Sequence, residues 1–106
     1  MRRWGHEPTF PLRRIQELVA AGDYDVTDTA RRDAESLTFD EFDMVECIGI
    51  LTEEEHFSHT LKSTSRPGTD QDVYRVRVHG FPLYVKLQID GAGRAIVISF
   101  KRDESV

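Results

Sequence analysis

Three alternating runs in the second half of the chain restrict the fold most: QDVYRVRVH (71–79), LYVKLQI (83–89) and RAIVISFK (94–101). Side chains of a strand point alternately to two faces, so each run sorts into two sets. One set holds Tyr74, Val76, Val78, Leu83, Val85, Leu87, Ile89, Ile96, Ile98 and Phe100 and is nearly all apolar. The other holds Gln71, Val73, Arg75, Arg77, His79, Tyr84, Lys86, Gln88, Val97, Ser99 and Lys101. A sheet covered on one face satisfies both sets. The connections, a turn at Gly80 and DGAG (90–93), are short, so the three strands form an antiparallel meander. FSHTLKST (57–64) is a further candidate strand, and SRPGTD (65–70) is a loop by its Pro-Gly.

What covers the apolar face is written in the first half. FPLRRIQELVAAG puts Leu12, Ile15, Leu18 and Val19 on one helical face, with Pro11 at the start and Gly22 as the stop. DVTDTARRDAESL has Thr27 as N-cap and a narrow stripe of Ala30, Ala34 and Leu37. FDEFDMVECIGIL has Asp40 as N-cap and Phe39 placed to staple onto Met44, and TEEEHF offers Thr52 and Glu55 as a capping-box pattern. Helices that precede strands, without alternating with them, predict an α+β domain of two layers: N-terminal helices on one face of a twisted antiparallel sheet.

A chain of 106 residues suits one domain with one core. Within residues 1–106 the expected divisions are an arm over 1–8, a helical half over 9–56 and a sheet half over 57–102. Trp4 and the two leading arginines suit a flexible arm or a partner contact. No apolar run approaches the roughly 20 residues of a membrane span. MRRWGHEPTF lacks an apolar leader, and one cysteine, Cys47, cannot staple the fold, so a cytoplasmic protein is expected. Cys47 reads as buried filler on a helix. His56 and His59 have an H-x-x-H spacing, but zinc wants a third and fourth ligand, so no metal site is expected.

Charge is divided along the chain. Residues 1–56 carry six arginines and fourteen carboxylates; residues 57–106 carry eight Lys/Arg and five carboxylates. Any contact with a polyanion therefore belongs to the sheet half. Its polar face has no carboxylate in the alternating runs, with Asp72 and Asp90 assigned to strand ends. A polar outer face is the default for a one-sided sheet, and cationic strands also deter edge pairing. A face made only for solubility mixes both signs, however. Arginines beside a tyrosine suit a phosphate-bearing ligand, because guanidinium offers paired donors to phosphate.

The chain resembles the MqsR family of motility quorum-sensing regulators, the mRNA-cleaving toxins of type II toxin–antitoxin pairs. QDVYRVRV, LYVKLQI and IVISFK are similar to the family's C-terminal signature; PLRRIQELVAAGDYDVTDTARRDAESL and IGILTEEEHF are similar to its first half. The resemblance runs over about residues 9–102. It implies a RelE/YoeB-like microbial RNase fold, an endoribonuclease that needs no metal and cuts single-stranded mRNA, and a cognate antitoxin. It implies catalytic roles for Gln71, Tyr84 and Lys101, which share the polar face. Where the family has a Tyr-Lys pair this chain has Ser58 and His59, and where it has a tryptophan before the glutamine this chain has Asp70.

The implied chemistry is attack of a ribose 2′-OH on the adjacent phosphate, and it needs a base, an acid and cations for the phosphorane. His59 stands in for the lysine as base or acid. Its own strand parity, however, groups it with apolar Phe57 and Leu61. Tyr84 positions the 2′-OH or shares the proton transfer. Lys101 with Arg75 or Arg77 stabilises the phosphorane, and Gln71 orients the phosphate or a base edge. Arg75, Arg77, Lys86 and Lys62 are the expected RNA contacts. A catalytically weakened member of the same fold, acting as an RNA- or protein-binding regulator, is the alternative.

Overall fold

The computed structural model describes residues 7–62 and 69–105. Trp4 and the leading arginines, residues 63–64 of the expected first strand and most of the 65–70 loop lie outside the described residues. The elements run α1 (Leu12–Ala20), β1 (Tyr24–Val26), α2 (Asp28–Ser36), α3 (Glu41–Ile50), α4 (Glu53–His56), β2 (Phe57–Leu61), β3 (Gln71–Val78), β4 (Phe81–Ile89) and β5 (Ala95–Arg102).

Helix boundaries follow local chemistry. Gly22 (φ 82°) ends α1 in the left-handed region, and the amides of Gly22 and Asp23 reach back to Val19 O and Leu18 O. Thr27 accepts the Ala30 amide to start α2. Asp40 and Asp43 exchange side-chain-to-amide bonds at 2.8 and 2.9 Å to start α3, and Thr52 accepts the Glu55 amide to start α4. Ala30 and Ala34 are fully buried. Their small side chains let α2 lie close to the sheet.

β2, β3, β4 and β5 pair antiparallel in sequence order. The expected all-antiparallel sheet is corrected at its far edge, where β1 pairs with β5 in parallel and makes a mixed sheet of order β1-β5-β4-β3-β2. β1 has three residues and lies in the link read between two helices. Its pairing partner is some 70 residues away, so no local pattern reveals it. The Arg94 guanidinium fastens this edge, bonding Asp25 at 2.7 Å and the Tyr24 carbonyl at 2.9 Å. The β3–β4 hairpin turns through His79 (φ 52°) and Gly80 (φ 82°), both left-handed as a two-residue turn of this type requires.

The inner face packs on the helices through Tyr74, Val76, Leu83, Val85, Leu87 and Phe100, together with Ile15, Leu18, Met44 and Ile48. Two residues depart from simple alternation. The register passes from Phe57↔Tyr74 to His59↔Val73, and from Lys86↔Ser99 to Leu87↔Val97. Ser58 and Ile98 are therefore extra residues, and each reverses the parity beyond it. Val97 and Ala95 consequently enter the core, and Ile96 lies opposite Gln88, the reverse of the expected assignment. Thr27 Oγ donates to the carbonyl of Ile98 at 2.9 Å, anchoring α2 at that bulge.

Asp72 lies off the polar face near the start of β3, as expected, but it is not at a solvated end. It is a fully buried side chain on the inner face, opposite Leu87. Its carboxylate accepts the amides of Thr9 and Phe10, each at 2.9 Å, and the Thr60 hydroxyl at 2.6 Å. The segment before α1 is thereby tied to β3. Among the described residues no helix is long and apolar enough to cross a membrane.

Candidate active site

The free face of the sheet is organised in rows that cross the strands. Paired residues of neighbouring antiparallel strands hold their Cβ atoms about 4.5–5.5 Å apart on the same face. One row is Arg75, Tyr84 and Lys101, from β3, β4 and β5. The next is His59, Val73, Lys86 and Ser99. A third has Leu61 opposite Gln71 and Gln88 opposite Ile96, with the two glutamine amides 3.4 Å apart. Four residues of strand separate Gln71 from Arg75, about 13 Å at 3.3 Å per residue. The expected residues form an elongated polar track along the face, with Gln71 at one end and Tyr84 and Lys101 at the other.

The bulge at Ser58 brings His59 onto this face. Its register partner is Val73, and its ring is exposed, not packed with Phe57 as strand parity predicted. Ser58 Oγ lies 2.9 Å from His59 Nδ1 and restrains the ring, leaving Nε2 as the nitrogen that Ser58 does not engage. His56 is turned to local work: its Nδ1 accepts the Thr52 amide at 2.9 Å.

Within the row of Arg75, Tyr84 and Lys101, the last two are in side-chain contact. Lys101 Nζ sits 5.2 Å from the centre of the Tyr84 ring, within reach of a cation–π attraction. Lys86, half-buried and two residues along β4 from Tyr84, has its ammonium pKa lowered, first by burial and then by the nearby charge of Lys101. A lysine in this setting gives up its proton more readily than an exposed one.

Two expected RNA contacts stand apart. Arg77 lies opposite Pro82 and its Nη1 donates to the Gly80 carbonyl at 3.3 Å, toward the β3–β4 turn. Lys62 follows the end of β2 and lies 3.6 Å from the Asp70 carboxylate.

The free face is not devoid of carboxylates. Asp103, just past β5, gives its amide to the Pro82 carbonyl at 2.7 Å, which continues the outward-facing parity of Lys101. Its side chain is only 3% exposed and its Oδ2 is 3.5 Å from Arg75 Nε. The Ser105 hydroxyl, foremost, holds the Asp103 carboxyl below its ordinary pKa, with the Ser105 amide and Arg75 adding to the effect against burial. The alternating run RAIVISFK ends at Lys101. Continuing it two residues would have put Asp103 on the polar face.

The family model described as motility quorum-sensing regulator, toxin of MqsA, matches residues 7–102. No curated protein matches the chain. The helices on one face of a five-stranded sheet are consistent with a two-layer RelE-like toxin fold. With nearly its whole length matched, the chain belongs to the MqsR family of toxins, a toxin of a toxin–antitoxin pair whose implied partner is an MqsA-type antitoxin.

Proposed function

We propose that this toxin is an endoribonuclease that cleaves single-stranded mRNA in the cytoplasm, stops translation and growth, and is neutralised by its cognate antitoxin. The observation that carries the reading is the cross-strand row of Arg75, Tyr84 and Lys101, with Lys86 and His59 in the adjoining row. Two features favour a chain-like anion over a small metabolite. The polar track is about 13 Å long, and the cations stand on an open sheet face.

In the proposed reaction the ribose 2′-oxygen attacks phosphorus, and a new P–O2′ bond forms as the P–O5′ bond breaks. The products are a 2′,3′-cyclic phosphate and a 5′-hydroxyl. One group accepts the 2′ proton and another supplies a proton to the leaving 5′ oxygen, so the step is balanced without a redox partner. His59 takes one of these roles, since imidazole exchanges protons near neutral pH. Tyr84 orients the 2′-hydroxyl under the charge of Lys101. Lys101 and Arg75 stabilise the phosphorane oxygens, and Lys86 adds charge in the next row. Gln71, at the far end of the track, orients a neighbouring phosphate or base edge. Arg77 and Lys62 attract the strand from the margins.

The test is incubation of antitoxin-free protein with single-stranded RNA in a chelating buffer, followed by mapping of the ends. Cuts that leave 5′-hydroxyl ends, slowed about 10²–10³-fold by Lys101→Ala, are expected, with Tyr84→Phe also impaired. Full cleavage by both variants refutes the assigned roles. RNA that stays intact while still bound supports the regulator reading instead.

A further inference from the structure

The family match ends at residue 102, yet residues beyond it reach the row of Arg75, Tyr84 and Lys101, Asp103 from the neighbouring register position. Arg75, Tyr84, Lys101 and the tail residues Arg102, Asp103, Glu104 and Ser105 line an open hollow of about 250 Å³ at this end of the sheet. That volume lies below the roughly 300–1,000 Å³ of sites for drug-sized molecules and suits a small group such as a phosphodiester.

Asp103 has a specific arrangement within the hollow. A buried carboxylate needs partners, because taking it from water uncompensated is costly. Its Oδ1 accepts the Ser105 amide at 3.1 Å and the Ser105 hydroxyl at 2.6 Å. Its Oδ2 faces Arg75 Nε at 3.5 Å. One oxygen is thus fixed by the tail, and the other meets the inner edge of the guanidinium. An arginine held at Nε keeps its two Nη groups as a donor pair for a phosphate. An exposed arginine must otherwise give up rotamer freedom to make the same contact.

We propose that Asp103, steadied by Ser105, is a positioning residue that holds Arg75 in place for the scissile phosphate. This rests on the nuclease reading above. Asp103 touches neither the substrate nor the reacting atoms; it acts through Arg75. The residue next to it in sequence, Arg102, and Lys101 supply further charge to the same hollow, so the phosphate meets cations from two strands.

The test is a double-mutant cycle on cleavage of a single-stranded RNA, with Asp103→Asn, Arg75→Ala and the double variant, and with thermal melting of each. Asp103→Asn keeps the shape and removes the charge that faces Arg75. Ser105→Ala, which removes one bond to the carboxylate and leaves Asp103 in place, is the milder second perturbation. The expected result is a loss of about tenfold in kcat/KM for Asp103→Asn, within the couplings measured for residues of one ion-pair network. A smaller loss in the same direction is expected for Ser105→Ala. In the Arg75→Ala background neither change has a further effect. Asp103→Asn protein that cleaves as fast as wild type, or faster, overturns the proposal, and so does a loss that persists undiminished without Arg75. Wild-type protein that leaves RNA intact overturns the nuclease reading and this proposal with it, which separates the two failures.

Discussion

Replacing Asp72 with alanine tests the connection between the sheet and the segment before α1. The carboxylate is fully buried and accepts three hydrogen bonds, from the amides of Thr9 and Phe10 and the hydroxyl of Thr60. Hydrogen bonds to a charged group contribute about 1.5–3 kcal/mol each, so the three would sum to about 4.5–9 kcal/mol if they were independent. They are not independent. The Thr9–Phe10 segment can swing out and recover bonds to water, which leaves a net loss of about 2–4 kcal/mol. That is a large share of the roughly 5–15 kcal/mol that holds a domain folded. At about 4–8 °C per kcal/mol for a chain near this size, the melting temperature should fall by about 8–32 °C. Asp72→Asn keeps the volume but turns a donor toward amides that also donate, so it should lose a substantial part of the same stability. The assay is urea unfolding followed by far-ultraviolet circular dichroism, with thermal melting beside it. An Asp72→Ala variant within about 0.5 kcal/mol of wild type, with an unchanged dependence on urea, would refute the idea that this carboxylate ties the two parts of the chain together.

Two further outcomes are expected. Burial pushes the Cys47 thiol up to about 12, so a disulfide reagent at pH 8 should leave native protein unmodified and react fully in denaturant; rapid labelling of native protein would mean that α3 does not pack as described. The Glu41 carboxyl is held below its ordinary 4.5 by the Tyr24 hydroxyl at 2.5 Å and then by Arg31 at 2.7 Å. Because the folded-state pKa is depressed, this stabilisation is present above the ordinary value and is lost as pH falls through the folded one. Glu41→Gln should therefore cost less than about 1 kcal/mol at neutral pH, the ceiling for exposed pairs, and the gap in urea midpoints should close in acid.

What the sequence made legible divides by the distance over which each feature is specified. Thr27, Asp40 and Thr52 act within three residues of themselves, and each caps its helix where local chemistry puts it. The central meander was readable for the same reason, since its turns lie between adjacent runs. β1 was not readable, because YDV becomes a strand only by pairing with β5. The two bulges were hidden as well. A single extra residue leaves composition unchanged but reverses every side chain beyond it, which is how Val97 came to the core and His59 came to the free face. Asp72 illustrates another limit. Alternation assigned it a side but could not say that backbone amides from residues 9 and 10 would satisfy a buried charge there. Asp103 lies just beyond the last residue of the alternating run, where the pattern of β5 no longer marks a strand.

The rows across the free face have a consequence for how such a toxin can change over generations. Main-chain pairing sets the backbone spacing of Arg75, Tyr84 and Lys101, and the Lys101–Tyr84 side-chain contact is added to it. Exchanging one of them leaves the backbone positions of the others where they were. A site of this construction can try new side chains one at a time without losing its frame. The same independence makes the face a practical starting point for placing new side chains on a fixed frame of strands.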